Sequence, residues 1–118
     1  MKELKDLIIK LIPEKGSVSF VDIESIFESK DIDYLGNYAM TPPGEYRHIV
    51  MWTGWKTEFI NLVSQMCNEK LIEIEPCSIL EYMLCGRMLN LPLVKKVHPY
   101  QTDHWLPVVF IKPGTSKY

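Results

Sequence analysis

The most regular pattern in the sequence is a run of apolar residues at helical spacing between residues 53 and 68. It predicts a helix, here called helix 3, with Thr53 as its N-terminal cap. The apolar face of this helix comprises Trp55, Phe59, Leu62, Val63 and Met66. At about 100° per residue, the opposite face is polar and uncharged, and it comprises Thr57, Asn61, Ser64, Gln65 and Asn68. A chain with such a helix has to bury one face against a core.

Two further helices are predicted upstream. The stripe Leu4, Leu7, Ile8 and Leu11 predicts an amphipathic helix 1, which Pro13 is expected to close. Ser19 and Asp22 have the spacing of a capping box with the shorter acid, and this predicts helix 2 from about residue 21 to about residue 30. Residues 17–20, between the two helices, favour a short extended piece that can pair at a sheet edge.

Two runs near the end of the sequence predict an antiparallel pair of strands. Residues 71–75 alternate as a strand does and end at Pro76, while residues 108–111 are rich in β-branched and aromatic side chains. Glu73 and Glu75 fall on one strand face, which is expected to be solvated.

Two long stretches lack a regular pattern. Residues 31–45 are rich in loop and turn residues, which predicts an irregular, aromatic-bearing insertion between helices 2 and 3. Residues 48–52 favour a short extended segment. Between the two strands, residues 78–81 have capping-box spacing for a short helix, whereas residues 82–86 fit a strand that ends in a turn. Both alternatives stay open.

The order helix, short strand, helix, helix, strand, long connection, strand resembles the winged-helix fold over nearly the whole chain. The resemblance implies one α+β domain spanning residues 1–118, with three helices and a small antiparallel sheet. It also implies that helix 3 is the recognition helix and that the terminal hairpin is the wing. The sequence departs from the fold in the long insertion between helices 2 and 3 and in the extended wing connection from Pro76 to Pro107.

A second resemblance concerns four short segments. Residues 16–20, 52–55, 89–92 and 104–110 are similar to segments of small uncharacterised proteins of Gram-positive phages and pathogenicity islands. This resemblance implies an accessory role in a mobile genetic element and leaves the chemistry open.

Bulk properties exclude several protein classes. The apolar run at residues 7–12 is interrupted by Lys10 and is far shorter than the ~20 residues needed to cross a bilayer. The N-terminal residues mix both charge signs and lead to no cleavage site, so no membrane association is predicted and a cytoplasmic location is expected. Cys67, Cys77 and Cys85 match neither a CxxC pair nor a disulfide framework, so reduced thiols and no metal site are predicted.

No catalytic or cofactor-binding motif is visible. There is no GxSxG turn, and the six glycines are scattered without a phosphate-cradling spacing. His48, His98 and His104 lie in different local settings, and the spacing of the last two matches no metalloenzyme motif. The sequence therefore predicts a protein that is not an enzyme and needs no cofactor.

Charge is distributed unevenly along the chain. The net charge of −2 divides into −6 for residues 1–85 and +4 for residues 86–118. Asn61 and Gln65 on helix 3 are side chains that can contact adenine bidentately, and Lys or Arg elsewhere would have to bind the phosphates. The predicted DNA contacts are Lys56, Thr57, Asn61, Ser64, Gln65, Asn68, Arg87, Lys95, Lys96 and Lys112.

A protein partner is the competing prediction. Tyr34, Tyr38 and Tyr46 lie in or beside the irregular insertion, where aromatic side chains can anchor a partner, although the insertion can equally fold back and bury them. The sequence leaves two hypotheses: a winged-helix DNA-binding or accessory protein, and a protein-interaction module that serves as a small subunit of a complex or inhibits a host protein. Oligomeric state is not specified by the pattern.

Overall fold

The chain folds as a mixed α+β protein with short helices and two-stranded sheets. The computed structural model describes residues 1–115. In this range the helices are α1 Lys2–Lys15, α2 Phe20–Ser29, α3 Thr57–Asn68 and α4 Leu80–Cys85. The strands are β1 Leu35–Met40, β2 Ile49–Val50, β3 Trp52–Trp55, β4 Glu73–Pro76, β5 His104–Trp105 and β6 Val108–Ile111.

Helix α2 begins at the capping box that the sequence predicts. The Ser19 hydroxyl accepts a hydrogen bond from the Asp22 backbone N–H at 3.1 Å, and the Asp22 carboxylate accepts one from the Ser19 N–H at 2.9 Å. The helix occupies Phe20–Ser29, one residue earlier at each end than predicted. Two backbone donors that the first helical turn leaves unpaired are thereby satisfied.

Removing this cap is expected to cost about 1 kcal/mol of unfolding free energy, because Ser19→Ala leaves the half-buried Asp22 N–H without its acceptor. Urea titration measures the loss. Ser25→Ala is the matched control, since Ser25 lies on the exposed side of the same helix and its hydroxyl only returns to the Val21 carbonyl. Equal stability of the two variants would show that the capping box contributes nothing.

Helix α1 does not end at Pro13, as the pattern predicts, but continues to Lys15. The helix closes at Gly16, which has φ 85° and whose N–H bonds to the Ile12 carbonyl at 2.6 Å. Proline removes only the hydrogen bond to the Ile9 carbonyl four residues earlier. Ile9 and Pro13 both lie on the exposed side, where water can satisfy that carbonyl.

The start predicted for helix 3 is wrong by three residues. Lys56, not Thr53, is the N-cap, and residues 52–55 are strand β3. Trp55 is buried as predicted but lies on a strand, so its helical phase with Phe59 is fortuitous. Gly54 has φ 96°, a conformation that suits a glycine within this short strand.

The predicted irregular insertion contains a strand. β1 pairs antiparallel with β3, with Ala39 opposite Thr53 and Met40 opposite Trp52, and the ladder has register shifts. Gly36 permits this pairing, because a Cβ there would lie 2.7 Å from the Trp55 carbonyl oxygen. Of the β1 side chains only Met40 is buried, which explains why the sequence shows no strand-like alternation.

The predicted terminal strand pair is confirmed. β4 and β6 are antiparallel, with Glu73 opposite Ile111 and Pro76 opposite Val108, and β4 is shifted towards Pro76 relative to the predicted 71–75. Val18 extends this sheet as predicted by exchanging two backbone hydrogen bonds with Phe110, at 2.9 and 2.8 Å. Contrary to an all-antiparallel expectation, β2 and β5 form a short parallel pair.

The connection between β4 and β6 folds back over the core. The sequence left two alternatives open for residues 78–86, a short helix and a strand that ends in a turn. The structure shows a helix, α4, so the described residues contain four helices rather than three. The Ser78 hydroxyl accepts a hydrogen bond from the Leu80 N–H at 3.2 Å, and left-handed Gly86 ends the helix. Further along the connection, Val94 and Pro92 bond the backbone of Trp105 in β5.

Nine aromatic rings form a connected network at the centre of the core, with centroid separations between 4.8 and 6.3 Å. Its members are Phe20, Phe27, Tyr34, Trp52, Trp55, Phe59, Tyr82, Trp105 and Phe110. The network joins α2, α3, α4, β3, β5 and β6. The insertion and the long connection therefore supply core residues rather than lying outside the core.

Candidate interaction surfaces

The outer face of α3 presents the polar stripe that the sequence predicts. Thr57, Asn61, Gln65 and Asn68 are exposed, and Ser64 is half-buried. The Gln65 amide donates a long hydrogen bond of 3.4 Å to Glu69, one turn further on. Exposed Glu58 places negative charge at the start of this face, which disfavours the approach of phosphates. Glu69, at its end, forms an ion pair with Lys5 at 3.7 Å.

Two predicted phosphate contacts are paired with acidic side chains. The Lys56 ammonium lies 3.3 Å from Asp33, and the Arg87 guanidinium forms an ion pair with Glu24. Lys112 follows the β6 end that pairs with Glu73, whereas Lys95 and Lys96 belong to the connection that leaves the opposite end of the β4–β6 ladder.

Glu24 is the most unusual polar residue of the core. Its side chain is 3% exposed, and one carboxylate oxygen accepts hydrogen bonds from the indole N–H groups of Trp52 at 3.0 Å and Trp55 at 2.8 Å. The other oxygen pairs with Arg87, whose guanidinium also lies 5.8 Å from the centre of the Trp52 ring. Glu24 thus joins α2, β3 and the connection after α4, and we call these four residues the Glu24 cluster.

The three tyrosines of the predicted partner surface separate in the structure. Tyr34 is in the core and donates a hydrogen bond to Glu28 at 2.8 Å; burial, and then this hydrogen bond, raise the Tyr34 pKa to about 12. Tyr46 is half-buried. Tyr38, on β1, is 59% exposed and lies on the same strand as exposed Leu35.

Helix α4 turns an apolar face outward. Tyr82 is completely buried, stacks on Trp52 at 5.1 Å and meets Trp105 edge-on at 5.3 Å. Leu80, Met83 and Leu84 fall in a sector of about 100° on the side away from Tyr82. All three are more than half exposed, and Leu84 is 86% exposed. Large contiguous apolar patches on a protein surface mark interaction sites, and these three neighbouring side chains are a candidate for such a surface. We call these three residues the α4 face.

The three histidines converge, although the sequence places them in different local settings. Pairing of β2 with β5 bonds the His104 N–H to the His48 carbonyl at 2.8 Å, and His48 Nδ1 lies 2.7 Å from Asp103. Tyr100 contacts both His98 and His104 with ring centroids 3.8 Å apart. These contacts fix the shape of the connection just before β5.

Within residues 1–115 no group of three His, Cys, Asp or Glu side chains is placed to hold a metal ion. A surface depression of about 450 Å³ beside the end of α3 includes Cys67. Burial raises the Cys67 pKa to about 11, which keeps this thiol protonated and weakly nucleophilic at neutral pH.

None of the helices within residues 1–115 has the length and apolarity that crossing a membrane demands.

Comparison with known proteins adds no relative: no protein family, no curated protein and no solved structure matches the chain. The surfaces therefore have to be interpreted from their own chemistry.

Neither the Glu24 cluster nor the α4 face is apparent from the sequence pattern. Glu24 occupies a position between Ile23 and Phe27 in an otherwise ordinary amphipathic helix, and its partners lie 28 to 63 residues away in sequence. For the α4 face, the available signal is that most residues from Leu80 to Leu84 are apolar. A six-residue helix cannot bury all of these side chains on one face.

Proposed function

We propose that this chain is a non-catalytic protein-interaction module built on a winged-helix-like frame. The observation that carries the proposal is the outward apolar face of α4. Tyr82 already anchors α4 to the core, so Leu80, Met83 and Leu84 are not needed for that contact. Their apolar surface is removed from water only if another molecule covers it, and that burial is favourable.

The winged-helix-like frame is supported by the order of the small sheet. Val18 pairs with β6, and β6 pairs with β4, while α2 and α3 lie between Val18 and β4 in the chain. This is the arrangement expected of a helical pair followed by a wing hairpin. The β1–β3 sheet and α4 are additions to that frame.

Charge favours a protein partner over nucleic acid. The phosphate backbone supplies most of the non-specific affinity of a DNA-binding protein, and it requires lysine or arginine side chains that are free to meet it. Lys56 and Arg87 are engaged by Asp33 and Glu24, and the α3 face carries exposed Glu58 at its start. A module for a DNA-associated complex in a mobile element remains compatible with this arrangement.

DNA binding is the second candidate, and one observation favours it. Asn61 and Gln65 are exposed on the same face of α3, with the donor and acceptor groups that read adenine in a major groove. In this alternative α3 is the recognition helix, and Lys95, Lys96 and Lys112 supply the phosphate contacts.

Fluorescence anisotropy with labelled duplex and single-stranded DNA distinguishes the two candidates. At ~50 mM salt, where electrostatic affinity is strong, we expect no saturable binding. Saturable, salt-dependent binding that the double variant Asn61→Ala, Gln65→Ala abolishes would contradict the proposed function and establish the second candidate.

Affinity capture from the cells that encode the protein provides the positive test. We expect a stoichiometric protein that Leu84→Glu loses and Leu35→Glu retains, because both variants place a charge at an exposed leucine but only Leu84 belongs to the α4 face. Recovery that is insensitive to Leu84→Glu would show that α4 is not the interaction surface.

A further inference from the structure

We propose that the cleft between the β1–β3 sheet and the connection after α4 binds a primary alkylammonium group, carried either by a small free amine or by a lysine side chain. The cleft has a volume of about 290 Å³, and we call it the Asp103 cleft after the charged residue that lines it. The inference goes beyond the proposed function, because none of the residues that line this cleft belongs to the α4 face.

The floor of the cleft is the outer face of the β1–β3 sheet. Ala39 lies directly opposite Thr53 in the ladder, and the next pair, Met40 and Trp52, is buried in the core. Because side chains alternate along a strand, Ala39 and Thr53 share the face that is turned away from the core. Val50, from β2, also lines the cleft. The alanine side chain ends at Cβ, so it leaves the space above this face open.

The wall of the cleft is formed by residues 89–91 of the connection, which are held at both ends. Before them, Arg87 belongs to the Glu24 cluster, and after them the Pro92 carbonyl accepts a hydrogen bond from the backbone of β5 at 2.8 Å. The two leucines of the wall pack against the core, and Asn90 between them is exposed. A ligand therefore meets a wall that is already ordered, which reduces the entropy cost of binding.

Three polar side chains line the cleft with unused hydrogen-bonding groups. Asp103 Oδ1 accepts a hydrogen bond from His48 Nδ1 at 2.7 Å. Within residues 1–115, Asp103 Oδ2, the Asn90 amide and the Thr53 hydroxyl have no protein partner. An alkylammonium has three N–H donors and no acceptor. Its donors therefore match one acceptor oxygen on each of the three side chains.

Charge selects a cation for this cleft. The residues that line it include one carboxylate and no Lys, Arg or His. Four other depressions on the described part of the chain are each lined by side chains of both charge signs. The lining of the Asp103 cleft therefore leaves its negative charge unbalanced, which favours a positively charged ligand.

The contact with His48 favours an ammonium over a guanidinium. A guanidinium binds a carboxylate best through both oxygens in a planar fork, whereas an ammonium is a compact charge with three rotatable donors. Because His48 occupies Oδ1 of Asp103, one oxygen is left for the ligand, and this suits the ammonium. The leucines of the wall and Val50 offer apolar surface to a short aliphatic chain.

Titration of the nitrogen-15-labelled full chain with n-pentylamine, followed by amide chemical shifts at constant pH and ionic strength, tests the inference. We expect saturable shifts at residues 39, 53, 89–91 and 103. The Kd should be about 1 to 10 mM, as suits a ligand of about six heavy atoms in an open cleft. n-Pentanol keeps the aliphatic chain and lacks the charge, so it should bind about 10-fold more weakly.

Nα-acetyl-lysine amide identifies the source of the alkylammonium group. It carries the same ammonium at the end of a lysine side chain, with its backbone amides outside the cleft. Saturable shifts of the same residues would identify the lysine of a protein as the ligand. Binding of n-pentylamine without binding of the lysine derivative would identify a free amine.

Two variants test the residues of the cleft. Asp103→Asn keeps an oxygen that can accept from His48 and removes the charge, so it should weaken n-pentylamine binding by about 10-fold. Ala39→Leu keeps every polar group and fills the space above the floor, so it should abolish the saturable shifts. Asp33→Asn is the matched control, because Asp33 is an exposed aspartate that pairs with Lys56 and does not line the cleft. Unchanged amide spectra away from the cleft would show that the variants are folded.

Three outcomes would overturn the inference: no saturable shift at about 50 mM n-pentylamine, binding that Asp103→Asn leaves unchanged, and n-pentanol that binds as tightly as the amine. None of these outcomes bears on the α4 face. Conversely, capture of a protein that is insensitive to Leu84→Glu would contradict the proposed function and leave the amine titration unaffected.

Discussion

Replacing Glu24 by alanine is expected to lower the free energy of unfolding by about 3 to 5 kcal/mol. The substitution removes the acceptor of two indole N–H groups, on Trp52 and Trp55, that are buried with essentially no exposure. Each unpaired buried donor costs about 1 to 3 kcal/mol. Arg87 loses its partner as well, but because its side chain is 48% exposed, water replaces much of that contact.

The separate roles of the carboxylate oxygens can be resolved with two milder variants. Glu24→Gln retains a carbonyl oxygen that can still accept from both indoles, so we expect it to lose roughly half as much stability as Glu24→Ala. Arg87→Met removes the guanidinium that lies over the Trp52 ring and leaves the Glu24 charge without its cation. We expect a loss of about 2 kcal/mol, less than for a fully buried pair because the arginine side is open to water.

Urea unfolding followed by tryptophan fluorescence measures all three, because two of the reporting indoles belong to the Glu24 cluster. Glu28→Ala is the control on the same helix, because Glu28 is exposed and its carboxylate accepts a hydrogen bond from the Tyr34 hydroxyl rather than from a buried indole. A Glu24→Ala variant no less stable than Glu28→Ala would show that the carboxylate does not organise the core.

Much of the local structure follows from the sequence because it depends on neighbours along the chain. The capping box of α2 and the apolar face of α3 lie within single helices, and the pairing of β4 with β6 follows from two runs that match strand patterns. Such signals reflect interactions over a few residues or a simple periodicity. Pro13 shows the limit of the same reasoning, since a proline near an exposed helix end is tolerated there.

The misinterpreted elements are those in which long-range packing overrides local pattern. Trp55 has the phase of a helical residue, but its indole is fixed by Glu24 and its backbone by β1, both distant in sequence. β1 shows no alternation of apolar and polar residues because its side chains are mostly exposed. Its backbone can pair with β3 because Gly36 allows the two strands to approach closely. The local pattern of a single sequence does not show which distant segments pair with each other.

The same distinction between local pattern and long-range contacts applies to the predicted site residues. Exposure of Asn61 and Gln65 follows from helical periodicity and is confirmed. The availability of Lys56 and Arg87 does not follow, because their acidic partners come from other elements. Tyr34 and Tyr38 are four residues apart in one insertion, but Tyr34 is buried in the core and Tyr38 is exposed to solvent. The roles of the predicted DNA contacts, and of the tyrosines as partner contacts, stay predictions.

Replacing Tyr82 by alanine is the second large expected effect, again about 3 to 5 kcal/mol. Tyr82 fills the space between Trp52 and Trp105, and its hydroxyl accepts from the Phe20 N–H at 3.2 Å and donates to the Val108 carbonyl at 2.6 Å. The alanine variant leaves a cavity and two buried backbone groups without partners. Tyr82→Phe keeps the ring and loses only the hydroxyl, so it should cost about 1 to 3 kcal/mol.

The effect should be concentrated in the connection between β4 and β6, because Tyr82 is the fully buried residue of α4. Hydrogen exchange should show loss of protection at residues 78–88 in Tyr82→Ala under conditions in which α3 stays protected. Tyr38→Ala, at an exposed tyrosine, is the control and should change stability by less than about 0.5 kcal/mol. If residues 78–88 keep their protection in Tyr82→Ala, then α4 is held by something other than its aromatic anchor, and the outward orientation of Leu80, Met83 and Leu84 would lose its physical basis.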